Sequence, residues 1–404
     1  MVDTSRRTLE PQLVSPFPAP VARMLADLND ADPARVLPIV LEALSAVCGA
    51  VGVRVSFSDV EERSLVVWDA AGAALTSRTH RMDVEGSIHG KVYRSGRTER
   101  AEVDLLPAIL TPVMARSERL GVLEVVFDAP PQEWAEAVVA SAGLLLGYVV
   151  VVGDRWSDEF QVARRRQDMN LAAEVQWVSL PLAAFKTDRI SLAGALEPAY
   201  EIAGDLYEYS CGREELVAGV FDAMGHGITA ARLSDLAVAA HRNARRNGRD
   251  LSGQAGFIHD TLVGTFGKEG FVTGQLVTID LGDPGRSRLV NAGHPAPFLH
   301  RKGGRPRQLR PEIDLPFGMP FEGGYRIQPL ELASGDRLTL FSDGVVEARP
   351  DGGALFSEAR LARCLRETRK LSPREAARNI IASVREHRAA DLADDATMLI
   401  MDVL

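Results

Sequence analysis

A chain of 404 residues is longer than one hydrophobic core usually serves, so two or three domains are expected. With 46% apolar and 25% charged residues it has the makeup of a soluble globular protein, and a net charge of -9 argues against a general nucleic-acid binder, which needs a basic surplus. Its three cysteines, Cys48, Cys211 and Cys364, show no paired spacing, so neither a disulfide framework nor a thiolate zinc site is indicated and a reducing, cytoplasmic setting fits.

In chain order, residues 1–19 mix charge and proline without periodicity and read as a flexible lead-in with no signal peptide. Val36, Ile39, Val40, Leu44 and Val47 recur at three and four, predicting an amphipathic helix over 33–47 with Pro38 near its start. Strands are expected over 53–57, 64–68 and 120–127. Residues 137–152 are nearly free of polar groups and end in four valines. They fall short of the roughly 20 apolar residues a bilayer requires, so a buried helix is expected and no membrane span.

The order of Val84 to Gly90, Val92 to Gly96, Thr111 to Val113 and Leu120 to Leu123 resembles a GAF domain over about residues 20–152. That resemblance implies a sensor for a small-molecule or protein signal, without naming one. His89, alone beside a glycine, reads as an ordinary loop residue and not as a haem or metal ligand.

Residues 153–185 form the expected helical linker. Between Ser157 and Leu180 there is no proline or glycine, and Phe160, Ala163, Leu171, Val175 and Val178 fall on one helical stripe that could pair with a second copy as a homodimer.

From residue 186 the pattern changes to short apolar strands punctuated by glycine and aspartate. Asp205 follows Gly204 and is expected to close a strand. Asp222 ends an apolar run, before Ala223, Met224, Gly225, His226 and Gly227. Asp343 follows Leu338 to Phe341 and Ser342, and Asp394 with Asp395 precedes the apolar run 397–401. Carboxylates where strand meets loop suit hard divalent cations, which take oxygen ligands, and two such ions about 4 Å apart can activate a water against phosphorus.

Taken together with Asn291 to Pro295, Leu315 to Gly318, Gly335 with Asp336, and Ser342 to Arg349, these segments resemble the metal-dependent PPM (type 2C) phosphatases of the SpoIIE/RsbU branch over about residues 186–404. The resemblance implies an α+β chain whose C-terminal domain is a β-sandwich flanked by helices, binding two Mn2+ or Mg2+ ions. It implies that Asp205 holds one ion, that Asp222 bridges both with help from the Ala223 carbonyl, and that Asp343 and Asp394 hold the other, with Asp395 in support. Ala203, Glu208, Ala223 and Met224 depart from the family pattern without removing a proposed carboxylate, and Glu208 leaves a further acidic contact open. His226 suits either a general acid or, preferably, a turn-capping residue, and His294 reads as structural.

The implied activity is hydrolysis of phosphoserine or phosphothreonine on a STAS-type anti-anti-sigma protein. Two rival readings are a degenerate module that binds a phosphoprotein without turnover, and a ligand receptor whose working part is the N-terminal half.

Overall fold

The computed structural model describes residues 19–68, 81–165, 167–197, 204–267, 269–321, 323–350, 352–388 and 395–404. The chain divides into two compact units, Met1–Ala115 with Arg119–Arg166, and Arg116–Glu118 with Gln167–Leu404.

The first unit runs α1 (Ala19–Asn29), α2 (Pro33–Cys48), β1 (Ala50–Ser58), β2 (Ser64–Trp68), β3 (Arg81–Asp83), α3 (Ile88–Ser95), β4 (Glu99–Val103), β5 (Leu106–Ala115), β6 (Glu118–Phe127), α4 (Ala135–Gly153) and α5 (Glu159–Ala163). Its six strands form one sheet in the order β3-β2-β1-β6-β5-β4. The larger core packs α1, α2, α4 and α5 on one face through Val36, Val40, Phe57, Leu123, Leu146 and Phe160. The other face takes α3 through Val92 and Tyr93. The three strands expected here are present.

Helix α2 begins at Pro33, where the expected range 33–47 begins, but Pro38 lies deeper in it than near its start. Asp32 caps it by accepting from the Arg35 N–H, Pro33 occupies the first turn, and Pro38 lies inside the helix. A proline at the first helical position costs nothing because that N–H is unpaired anyway, so Pro33 and not Pro38 marks the start.

The apolar run 137–152 lies in α4, which by length and composition could cross a membrane. Here it lies on β5 instead. Val139, Ala142, Leu146 and Val150 are buried, whereas Leu144, Tyr148 and Val152 on the other side are exposed, so only one face is covered. The approach is close because Gly147 carries no side chain: a Cβ there would sit 2.0 Å from the Met114 carbonyl oxygen. Gly147→Ala is therefore expected to destabilise this unit by about 1–3 kcal/mol, the usual cost of overpacking. Calorimetry should show the first unit's transition lowered and the second unit's unchanged.

The second unit runs α6 (Leu171–Ser179), β7 (Ala184–Lys186), β8 (Ile190–Glu197), β9 (Asp205–Cys211), β10 (Glu215–Ala223), α7 (Ile228–Arg246), α8 (Leu251–Phe266), β11 (Val272–Asp280), β12 (Ser287–Ala292), β13 (Phe298–His300), β14 (Pro306–Gln308), β15 (Gln328–Leu330), β16 (Arg337–Phe341), α9 (Asp343–Val346), α10 (Ser357–Glu367), α11 (Pro373–Arg388) and β17 (Ala396–Val403). Two antiparallel sheets form, β15-β12-β11-β10-β9 and β14-β13-β16-β17-β8-β7.

Alternating residues of both sheets, among them Leu192, Tyr207, Leu216, Val277, Leu338 and Leu399, meet in a central core. Helices α7 and α8 cover one outer face through Leu233, Ala237, Ile258 and Leu262. Helices α10 and α11 cover the other through Leu361, Leu365, Ile380 and Val384. The result is a β-sandwich flanked by helices, the layered solution that lets each sheet bury both faces.

The single connecting helix expected over 157–180 is instead two short ones, α5 and α6. Helix α5 belongs to the first core through Phe160, whose ring packs edge-on against Phe57 and Trp68. Helix α6 starts afresh at Asn170, whose side chain accepts from the Ala173 N–H. The stripe is also displaced. Leu171 and Val178 are exposed, and the buried positions of α6 are Ala172, Ala173 and Gln176.

Candidate active site at the sheet ends

Strands β9 and β10 pair so that Asp205 lies directly opposite Asp222. Their Cβ atoms are therefore about 5 Å apart, the ordinary spacing of cross-strand neighbours. Asp205 opens β9 instead of closing a strand, and a backbone bond from the Ala223 N–H to the Gly204 carbonyl extends the pairing past it. Asp222 is next to last in β10, after a buried run of Leu216 to Phe221, and is half-buried.

The second sheet contributes from β16 and β17. The Ser342 N–H donates to the Thr397 carbonyl, and the Ser342 hydroxyl accepts from the Thr397 N–H at 2.9 Å while donating to Asp205 Oδ2 at 2.6 Å. One buried serine thus ties the two sheets together at the carboxylate. Asp343 begins α9 immediately after it. Gly344 lies against the Asp395 backbone so closely that a Cβ would come within 1.9 Å of the Asp395 carbonyl oxygen. Asp395 itself is buried, and its Oδ2 accepts from the Asp205 N–H at 3.2 Å.

Of the residues singled out from sequence, Asp205, Asp222, Ala223, Asp343 and Asp395 all reach this end of the two sheets, and Asp394 lies outside the described residues. Burial, then the charges of Asp222 and Asp395, raise the Asp205 carboxyl well above the usual range, and hydrogen bonds from Ser342 and Thr397 only partly oppose this. Burial also raises Asp343. Among the described residues no three Asp, Glu, His or Cys side chains gather tightly enough to cage an ion by themselves. The donor set nonetheless fits a hard divalent cation. It is all oxygen, its charges repel one another, and a cation would relieve both the repulsion and the burial.

Gln176 on α6 went unnoticed in the sequence. It is fully buried, its Nε2 donates to the Asp205 carbonyl oxygen at 2.5 Å and to Asp395 Oδ2 at 3.2 Å, and its Oε1 has no partner among the described residues. The roles of Ser342 and Thr397 were also missed, although both stand beside the aspartates singled out.

The histidines and Glu208 sort differently. His226 is exposed, and its side chain makes no hydrogen bond among the described residues, so it does not cap the turn; Gly225 and Gly227, both with positive φ, make it. His294 is structural. It is buried, bonded through Nδ1 to the Thr273 hydroxyl, and held neutral by burial, which pushes its pKa down to about 3. His89 is buried on α3, not in a loop, and contacts Glu124 at 2.7 Å.

Glu208 faces α7, not the aspartates. Its carboxylate meets His241 Nδ1 at 2.5 Å, Arg242 Nε at 2.9 Å, and Arg245. Burial alone would raise its pKa, but these partners overcome it and hold the group down to about 2.

Residues 212–404 match the family model described as Stage II sporulation protein E (SpoIIE). Phosphoserine phosphatase RsbU of Bacillus subtilis is 21% identical over 280 residues, covering 69% of this chain and 83% of RsbU. Among solved structures, the SiaA-PP2C domain of Pseudomonas aeruginosa is similar with a TM-score of 0.49 at 24% identity, over 58% of this chain and 94% of that one. The RsbU and RsbW domains of Rv1364c from Mycobacterium tuberculosis give 0.47 at 23% identity, over 53% of this chain and 60% of that one. Through residues 212–404, just under half of its length, the chain is thus similar to the SpoIIE-domain family.

Proposed function

We propose that this SpoIIE-domain serine/threonine phosphatase is metal-dependent and acts on phosphoserine or phosphothreonine of a small regulatory protein, a STAS-type anti-anti-sigma antagonist, in the cytoplasm. The observation that carries the reading is the register that sets Asp205 opposite Asp222, with Asp395 bonded to the Asp205 backbone. Asp205 on β9, Asp222 on β10 and Asp395 just before β17 bring three carboxylates to one sheet end, and a cation would offset their mutual repulsion.

In this reading Asp205 would hold one Mn2+ or Mg2+ ion, Asp222 with the Ala223 carbonyl would serve two, and Asp343 and Asp394 would hold the second, with Asp395 in support. Such ions supply charge that offsets the phosphoryl oxygens and a lowered pKa for water. The chain's own groups orient the ligands: Ser342 fixes one oxygen of Asp205, and Gly344 lets the start of α9 lie against Asp395. Neither His226 nor His294 is needed as a base.

The N-terminal unit would serve as a GAF-like sensor of a small-molecule or protein signal. Its sheet, with helices on both faces, supports that reading. Exposed Leu171 and Val178 offer a second copy of the chain an apolar face on α6, through which a signal could bias the site. The resemblance to the SpoIIE/RsbU branch supports the substrate class, and RsbU, itself named a phosphoserine phosphatase, supports the bond attacked.

The test is phosphate release by the full chain from a phosphorylated STAS-domain protein, with manganese and with a chelator. Release is expected only with manganese. No release from any phosphoprotein or aryl phosphate with manganese present would favour a module that binds without turnover.

A further inference from the structure

We infer that Gln176 is a positioning residue that sets Asp205 and Asp395 for cation binding, so that the site is completed by α6, which precedes the matched residues 212–404. The inference rests on the reading of Asp205 as a metal ligand.

The geometry is a closed ring. Both N–H groups of the amide are spent, one on the Asp205 carbonyl and one on Asp395 Oδ2, and the Asp205 N–H donates to that same Oδ2. The partners lie 29 and 219 residues away in sequence, so no local turn or cap explains the arrangement. On the buried face of α6 the neighbours are Ala172 and Ala173, and a wholly apolar stripe would pack there without desolvating an amide.

Glutamine does what its alternatives cannot. A leucine would leave a buried carbonyl and a buried carboxylate oxygen without that donor. A lysine or arginine would neutralise the carboxylate and compete with a cation for it. A neutral amide with two donors fixes Asp395 and the start of β9 while leaving the carboxylate charge available. Its Oε1, without a partner among the described residues, offers an acceptor at the same place.

Helix α6 is itself anchored, so the amide has a firm base. Ala172 packs on Ala231 of α7, the Ser179 hydroxyl donates to Asp235, and Arg242 donates to the Ser179 carbonyl at 2.6 Å. Displacing α6 would therefore move the group that holds two carboxylates together.

The experiment uses the full chain and manganese alone, by titration calorimetry, on the wild type, Gln176→Met, Asp395→Asn and the double variant. Methionine keeps the volume and removes both donors. The expected result is a Kd for manganese about tenfold higher in Q176M, within the range for residues that orient metal ligands. The metal-free melting temperature should stay within a few degrees, and KM for the phosphoprotein should be unchanged. In the D395N background Q176M should add little, because the two residues act as one unit.

Unchanged manganese affinity in Q176M, or a penalty fully additive with D395N, would overturn the role of Gln176. A wild-type chain that binds no manganese would overturn the metal reading beneath it. If Q176M does not fold, Gln176→Asn, too short to reach both partners, carries the same test.

Discussion

Asp222→Ala is expected to reduce manganese-dependent phosphate release by about a thousandfold, comparable to deleting a principal charge-stabilising group in other active sites. The physical ground is position. Asp222 lies opposite Asp205 across β9 and β10 and is the carboxylate proposed to serve both ions. Its loss also removes one of the charges that raise the Asp205 carboxyl. The metal-free variant should therefore be no less stable than the wild type, and more stable if repulsion across the strand pair is significant.

Two measurements together decide the matter. Activity should vanish, and the rise in melting temperature that manganese gives the wild type should disappear, while the melting temperature in chelator holds or increases. A variant that loses activity by unfolding would show the opposite pattern in chelator. A variant that keeps activity would remove Asp222 from the chemistry.

Glu208→Ala should act on the fold instead. The carboxylate is buried among His241, Arg242 and Arg245, and removing it leaves the two partly buried arginines without their counter-charge, which costs about 1–3 kcal/mol. The loss should appear as a lower unfolding midpoint for the second unit alone.

The pH dependence has a definite sign. The folded carboxyl is held at about 2, below its ordinary 4.5. Its contribution is thus complete above about pH 4.5 and fades as the pH falls toward 2. The gap between wild type and variant should be widest near neutrality and narrow below pH 4. A gap independent of pH across that window would mean that lost packing, and not the ion cluster, accounts for the destabilisation.

These two acidic residues show what the sequence could and could not convey. The place of Asp222 at a strand end was legible because an apolar run breaking into Asp-Ala-Met-Gly-His-Gly is a local pattern: strand, acidic residue and turn lie within a dozen residues. Glu208 was not, since its partners come from α7, more than 30 positions on, and nothing local separates a carboxylate facing arginines from one facing a cation. The parity of the strand was the available clue. Residues 205 and 208, three apart on β9, point to opposite faces.

The break between α5 and α6 was hidden for a different reason. No proline or glycine marks it, and the restart rests on Asn170, whose capping role could have been weighed against the uninterrupted stripe. That stripe led away from Gln176, because a polar residue on a presumed linker is ordinarily read as solvent-facing. In α4 composition was informative about helicity and silent about which face would be covered.

The pairing of β17 with β8 has a consequence for how the molecule comes into being. Val403 meets Ile190 and Ala396 meets Glu197, so the second sheet cannot close until strand 396–403 has been synthesised and has docked. The bonds that set the carboxylates span 190 and 219 positions of sequence. Contacts of such high order form slowly, because so long a loop must close before any of them is rewarded. A growing or partly assembled chain would thus possess most of its helices and the β9–β10 hairpin well before it could touch a phosphate, and competence would arrive as one of the last events of folding.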